Sequence, residues 1–168
     1  MFHLKTHILL ALAFTIFSLQ ATKAQGRTDS IQYYKWTLEF ESKKGKLPCP
    51  FAEGTIDYKV LYLDAERKPT RGMDLLSDNS EIKNCMDGRV VAAVQGKDDW
   101  SLIIAHGDYF CVYSNLESVS VTSGQMINAG QIIGKALKHP TQNTFVMHLE
   151  IWKGIEHLWP ADWLACSH

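Results

Sequence analysis

Between residues 88 and 152 the chain passes through five short segments rich in β-branched and aromatic residues, and no long helical period interrupts them. They are Gly88–Val94, Ser101–Ala105, Tyr109–Tyr113, Gln131–Gly134 and Thr144–Trp152, separated by turns containing glycine and aspartate. Such side chains suit a pleated, half-buried surface, and turn residues at short intervals return each strand beside the last. The pattern predicts an antiparallel β-sandwich or barrel-like domain over residues 47–165.

The segment before it reads two ways. Tyr34–Glu41 alternates apolar with polar residues, as a strand does. A helix is equally supported: Ser30 caps it, Ile31, Tyr34 and Leu38 share a face, and Lys43, Lys44 and Gly45 end it. Pro48 and Pro50 then bracket Cys49 and impose an extended lead-in. Further on, Gly124 to Gly134 carries glycines where a tight reversal needs positive φ. A carrier-domain role for that hairpin is disfavoured, because no lysine sits at a Met-Lys-Met-type tip.

Met1-Phe2-His3-Leu4-Lys5, an apolar run from Ile8 to Leu19, and small or polar residues through Ala24 have the layout of a secretory signal peptide. The run is too short for a stable membrane span, so cleavage after Ala24 leaves 144 of the 168 residues and no stable membrane segment. Residue 25 is Gln, which offers no thiol for a lipid anchor. An exported, periplasmic or extracellular, location follows.

Taking Lys5 and Lys23 from the 17 cations leaves 15 against 18 acidic residues, a balance of −3 with histidines neutral. That is no polyanion-binding field, and nucleic acid is not expected as a partner. All four cysteines, Cys49, Cys85, Cys111 and Cys166, fall in the exported part. Without a Cys-x-x-Cys spacing they read as one or two structural disulfides, with three connectivities open.

The residues able to carry chemistry cluster at three places: Thr70-Arg71-Gly72-Met73-Asp74, Tyr113-Ser114-Asn115-Leu116 and Val146-Met147-His148-Leu149-Glu150. In a strand Val146, His148 and Glu150 share a face, and only His148 offers a neutral nitrogen there. Asp74 and His148 are expected to form a hydrogen-bonded pair. His106, before Gly107, reads as a turn residue, while His139 and His157 read as exposed.

Residues 45–165 resemble the LytM domain, the lysostaphin-type zinc endopeptidase that acts on peptidoglycan cross-links. The resemblance rests on Gly45-Lys46-Leu47-Pro48-Cys49-Pro50, Gly72-Met73-Asp74-Leu75, Asp87-Gly88-Arg89-Val90-Val91, Ile103-Ile104-Ala105-His106-Gly107, Gly124–Gly134 and His148-Leu149-Glu150-Ile151, in that order. It implies a mainly β, antiparallel sandwich or barrel-like LytM fold (the duplicated hybrid motif) in one domain. Residues 1–24 are then a signal peptide, 25–44 an N-terminal extension and 45–168 a degenerate LytM domain.

In active members of that family, a His-x-x-x-Asp motif and the second His of His-x-His hold zinc. The resemblance maps these ligands to Thr70, Asp74 and His148, and the two proton-handling histidines to Asn115 and Val146. Three of the five positions are thus substituted, and one imidazole with one carboxylate is a poor zinc site. No cofactor is expected, zinc being the alternative.

The chain is similar in this respect to the degenerate LytM domains of murein hydrolase activators of the EnvC type, which cut nothing themselves and release an amidase from autoinhibition. The resemblance implies a non-catalytic domain that binds peptidoglycan, a cell-wall amidase, or both, through a groove formed by Thr70, Arg71, Asn115, Val146 and His148. A residual zinc endopeptidase is the competing reading. The long coiled coil typical of such activators has no room in residues 25–45.

Overall fold

The computed structural model describes residues 29–51, 57–59 and 71–166; the signal-peptide stretch and Thr70 lie outside them. A helix over residues 29–42 (α1) is followed by β1 (Asp57–Lys59), β2 (Met73–Ser77), β3 (Glu81–Lys83), β4 (Gly88–Gln95) and β5 (Trp100–His106). Then come β6 (Tyr109–Val119), β7 (Met126–Ile127), β8 (Ile132–Lys138), β9 (Phe145–Lys153), β10 (Glu156–Leu158) and a short 3-10 turn at Pro160–Asp162. The strands join one curled sheet in the order β1-β2-β9-β8-β6-β5-β4-β7, with β10 on β9 and β3 on β8. Every strand pair is antiparallel. The expected mainly β fold is therefore present.

β9 is the hub, pairing with β2, β8, β6 and β10. Its Met147, Leu149 and Ile151 are buried while the residues between them are half-buried on the other face. The inward residues meet Leu75 and Met73 of β2 and Tyr113 and Cys111 of β6 across the register. Burial of side chains of this size contributes roughly 1.5–3 kcal/mol each. The glycine turn behaves as its sequence requires, with Gly124 at φ 86° and Gly130 at φ 75°.

The ambiguous segment is a helix, and its packed face is not the one that Ile31, Tyr34 and Leu38 mark. Those three are 65%, 72% and 65% exposed, whereas Trp36 and Phe40 are buried. Phe40 stacks against Tyr109 at 4.5 Å, Trp163 at 5.2 Å and His106 at 5.3 Å between ring centroids. The helix can come this close because residue 107 is glycine: a Cβ there would lie 2.1 Å from Thr37 Oγ1 and 2.6 Å from the Tyr33 carbonyl oxygen. Thr37 Oγ1 in turn accepts the Asp108 N–H at 2.9 Å, and the Tyr33 hydroxyl donates to the Asp108 carboxylate.

Of the three possible connectivities, the structure bridges Cys49 to Cys166, with Cα atoms 4.9 Å apart. Backbone hydrogen bonds from Leu47 N–H to the Trp163 carbonyl (2.9 Å) and from Ala165 N–H to the Leu47 carbonyl (2.7 Å) lie beside it. Cys85 and Cys111 are buried and free. The bridge closes a loop of 117 residues, for which the chain-entropy account gives about 5 kcal/mol of stabilisation. The Cys49→Ser/Cys166→Ser double variant is expected to lose stability on that order in urea unfolding at unchanged slope; a loss near zero would mean the non-covalent ladder at Leu47 suffices.

Candidate functional site

Register places the two residual ligand positions side by side. Asp74 of β2 lies directly across from His148 of β9, and His148 also faces Ser114 of β6. Directly opposed residues in an antiparallel pair have Cβ atoms about 5 Å apart, within reach of a carboxylate and an imidazole. His148 Nδ1 is 2.6 Å from Asp74 Oδ1. Its Nε2 is 2.7 Å from the Arg71 carbonyl oxygen and 3.7 Å from Glu150 Oε1.

Both close partners are acceptors with no proton to give, so each ring nitrogen must donate. That arrangement favours His148 as the imidazolium. The Asp74 hydrogen bond raises its pKa above the usual 6.5, burial opposes that, and the Arg71 carbonyl and the charges of Asp74 and Glu150 add to the rise.

The loop that supplies the carbonyl depends on Gly72. At φ 94°, a Cβ on residue 72 would stand 2.3 Å from the Leu149 carbonyl oxygen, 2.8 Å from Glu150 Cγ and 2.9 Å from His148 Nε2. Only glycine lets the backbone lie flat over the imidazole. Arg71 itself is exposed, with its guanidinium carbon 5.3 Å from the centre of the Trp152 ring. Trp152 Nε1 donates to Glu150 Oε2 at 2.7 Å.

The remaining expected site residues are placed less centrally. Val146 lies one strand position pair from His148, across from Leu76 and Leu137. Asn115 follows Ser114 at the point where β6 leaves β9 for β8, and its φ of 58° is left-handed. Asparagine is among the few non-glycine residues that tolerate that conformation, so the bulge gives residue 115 a backbone reason as well as a groove position.

Three histidine expectations are corrected. His106 is the fully buried last residue of β5, because the turn begins only at the next residue. His157 is half-buried rather than exposed, its ring set edge-on to Trp152 at 5.3 Å, since β10 folds back on β9 with His157 opposite Trp152. Burial pushes the His157 pKa down, Glu150 opposing while Arg71 and His148 add to the drop. His139 is partly buried, its Nδ1 accepting the Thr141 N–H at 3.3 Å.

Sequence reasoning missed Trp152 and His157 as groove residues and placed Glu150 on this face without a partner. The available signal was the alternation 146, 148, 150, 152, which sends all four side chains the same way.

These residues do not fit zinc. A zinc site needs about three ligands converging on one point, and here only Asp74 meets His148 Nδ1, Glu150 lying instead at Nε2. What remains is a closed group of two carboxylates, one imidazolium and one guanidinium, with Arg71 and Trp152 toward solvent.

A profile of peptidase family M23 matches residues 68–160, more than half of the chain. The chain belongs to peptidase family M23. Its site positions mark it as a degenerate, LytM-type member. No curated protein matches it significantly.

Among solved structures this M23 chain is similar to a chain of the SpoIIIAH–SpoIIQ complex, with 22% identity and a TM-score of 0.56 over 67% of this chain and 95% of that one. It is also similar to Csd3 of Helicobacter pylori, at 21% identity and TM-score 0.55 over 72% of this chain and 33% of that one. A putative M23 peptidase from Pseudomonas aeruginosa gives 18% identity and TM-score 0.55 over 71% and 50%. At such identities the likeness is one of fold. No helix among the described residues is long and apolar enough to cross a membrane.

Two outcomes follow from the geometry. The His148 ring, faced by Asp74, Glu150, Arg71 and His157, is expected to titrate above 6.5 by NMR, and Asp74→Asn to lower the midpoint. Because the folded pKa is the raised one, the stability it contributes is full below the unfolded value and lost as pH rises through the folded one. A midpoint at or below 6.5 would contradict the double-donor assignment. Gly72→Ala is expected to destabilise the fold by more than about 1 kcal/mol, read by urea unfolding.

Proposed function

We propose that this chain is an exported, non-catalytic M23 domain that acts at the cell wall by binding, activating a peptidoglycan amidase by contact or holding peptidoglycan itself. The observation that carries the reading is His148, whose two nitrogens are both spent on acceptors, at 2.6 Å and 2.7 Å. The position that would hold the metal in an active relative is turned here to the Arg71 loop.

Arg71 is the group through which binding works. A cation over an indole face keeps its N–H donors for other partners, and a guanidinium matches a carboxylate in a two-point hydrogen bond. Stem peptides of peptidoglycan and acidic side chains of an amidase both supply carboxylates. The protein-partner arm is supported by the similar fold found in a structure described as the SpoIIQ–SpoIIIAH pore-forming complex. Asn115 and Val146 extend the same surface. Export rests on the features of residues 1–24, and Thr70 is counted with the groove from its sequence position alone.

The competing reading, a residual zinc endopeptidase cutting cross-links, needs His148 released from one acceptor and a third ligand gained. Purified sacculi incubated with the chain alone, with added zinc, and with cell-wall amidases distinguish the two. The expected result is no fragment release by the chain with or without zinc, and amidase-dependent release or sacculus binding that Arg71→Ala reduces on the order of tenfold. Zinc-dependent cutting by the chain alone would replace this reading with the peptidase.

A further inference from the structure

The described residues hold a second group of metal-ligating side chains, remote in character from the groove. Cys85 lies between β3 and β4, His106 ends β5 and Cys111 sits in β6; their exposures are 4%, 0% and 0%. One ligand atom from each lies within 4.8 Å of the others. The two sulfurs are 3.7 Å apart, and the Tyr113 hydroxyl donates to Cys85 Sγ at 3.4 Å. Cys111 and Tyr113 have the inward parity of their cross-strand partners Ile151 and Leu149, whereas Ser114, opposite His148, has the outward one. The cluster and the groove therefore occupy opposite faces of one sheet.

His106 is set up as a ligand is. Its Nδ1 lies 2.8 Å from the Asp87 carbonyl oxygen, which can only accept, so the proton sits on Nδ1. Nε2 then carries the lone pair, and it is buried without a hydrogen-bond partner among the described residues. A histidine whose outer nitrogen donates to a carbonyl while the inner one faces soft donors is the usual second-shell arrangement of a metal-binding imidazole. Phe40 stacks on the ring at 5.3 Å and closes the site from the helix side.

We propose that Cys85, Cys111 and His106 form a buried site for one thiophilic metal ion, zinc(II) or copper(I). Two thiolates bonded at about 2.3 Å to a tetrahedral metal stand about 3.8 Å apart, which the observed 3.7 Å matches without rearrangement. Loading releases two thiol protons to solvent and forms two metal–sulfur bonds and one metal–nitrogen bond. Zinc(II) with two thiolates is neutral, which suits full burial, and the Tyr113 hydroxyl, 3.4 Å from Cys85 Sγ, stands beside the fourth position. Copper(I) is satisfied by the three ligands alone, with Tyr113 remaining a donor to sulfur. The metal ties the β3–β4 connection to β5 and β6 at the end of the sheet that α1 covers.

The test uses the purified full chain, reduced under nitrogen, loaded with zinc(II), cobalt(II) or copper(I) alone, desalted and assayed for metal. The expected result is one retained ion per chain, a rise in the unfolding temperature, and loss of retention in Cys85→Ser and Cys111→Ser while Asp74→Asn retains it. Cobalt(II) uptake with a thiolate charge-transfer band marks the four-coordinate, zinc-type site; copper(I) retention without cobalt uptake marks the three-coordinate one. Because the cysteine variants test folding as well, the cobalt spectrum of the unmodified chain stands as an independent measure. The inference falls if the reduced, folded chain retains none of the three ions. It falls equally if the native protein carries a Cys85–Cys111 bridge that survives mild reduction, read as two hydrogens missing from the intact mass beyond the Cys49–Cys166 pair.

Discussion

Because side chains alternate along a strand, the register that buries Met147, Leu149 and Ile151 of β9 also commits Val146, His148, Glu150 and Trp152 to the opposite face. β9 pairs with four other strands, so its register is specified several times over. A slip of one residue would exchange core and groove together. The groove is thus a by-product of core packing, and its geometry is as rigid as the core that dictates it.

Within that geometry the polar residues neutralise one another. Asp74 and the Arg71 carbonyl take both protons of His148, Glu150 takes the Trp152 N–H, and Arg71 lies on the Trp152 ring. Such a network has little need of an ion to complete it, unlike a site in which carboxylates and imidazoles converge on a common point. The family frame persists while the polar side chains of the site have turned toward one another, with the Arg71 guanidinium and the Trp152 ring lying at its rim.

Much of this was legible in the sequence. Alternation within 144–152, 109–113 and 101–105 located strands that pair as expected, and Gly124 and Gly130 of the 124–134 turn stand at positive φ, Gly134 being already in β8. The Asp74 and His148 pairing was also legible, since it follows from two strand segments in register. The helix over 29–42 was not, because an apolar stripe at Ile31, Tyr34 and Leu38 competes with one at Trp36 and Phe40, and only the β5–β6 hairpin selects between them. His106 was hidden by the glycine after it, which reads as a turn signal yet serves to admit the helix. His157 and Trp152 meet through a three-residue strand, too short to leave a periodic trace.

The Cys49–Cys166 bridge lies beside the parallel contact of Leu47 with Leu164, two segments that flank β1 to β10 in the chain. Tension applied across those two points would travel through the covalent bond and leave the positions between them unloaded. A sheet whose hydrogen bonds would otherwise unzip one at a time is by this means shielded from pulling. Load entering at residue 49 and leaving at residue 166 would therefore leave the surface around Arg71 in shape.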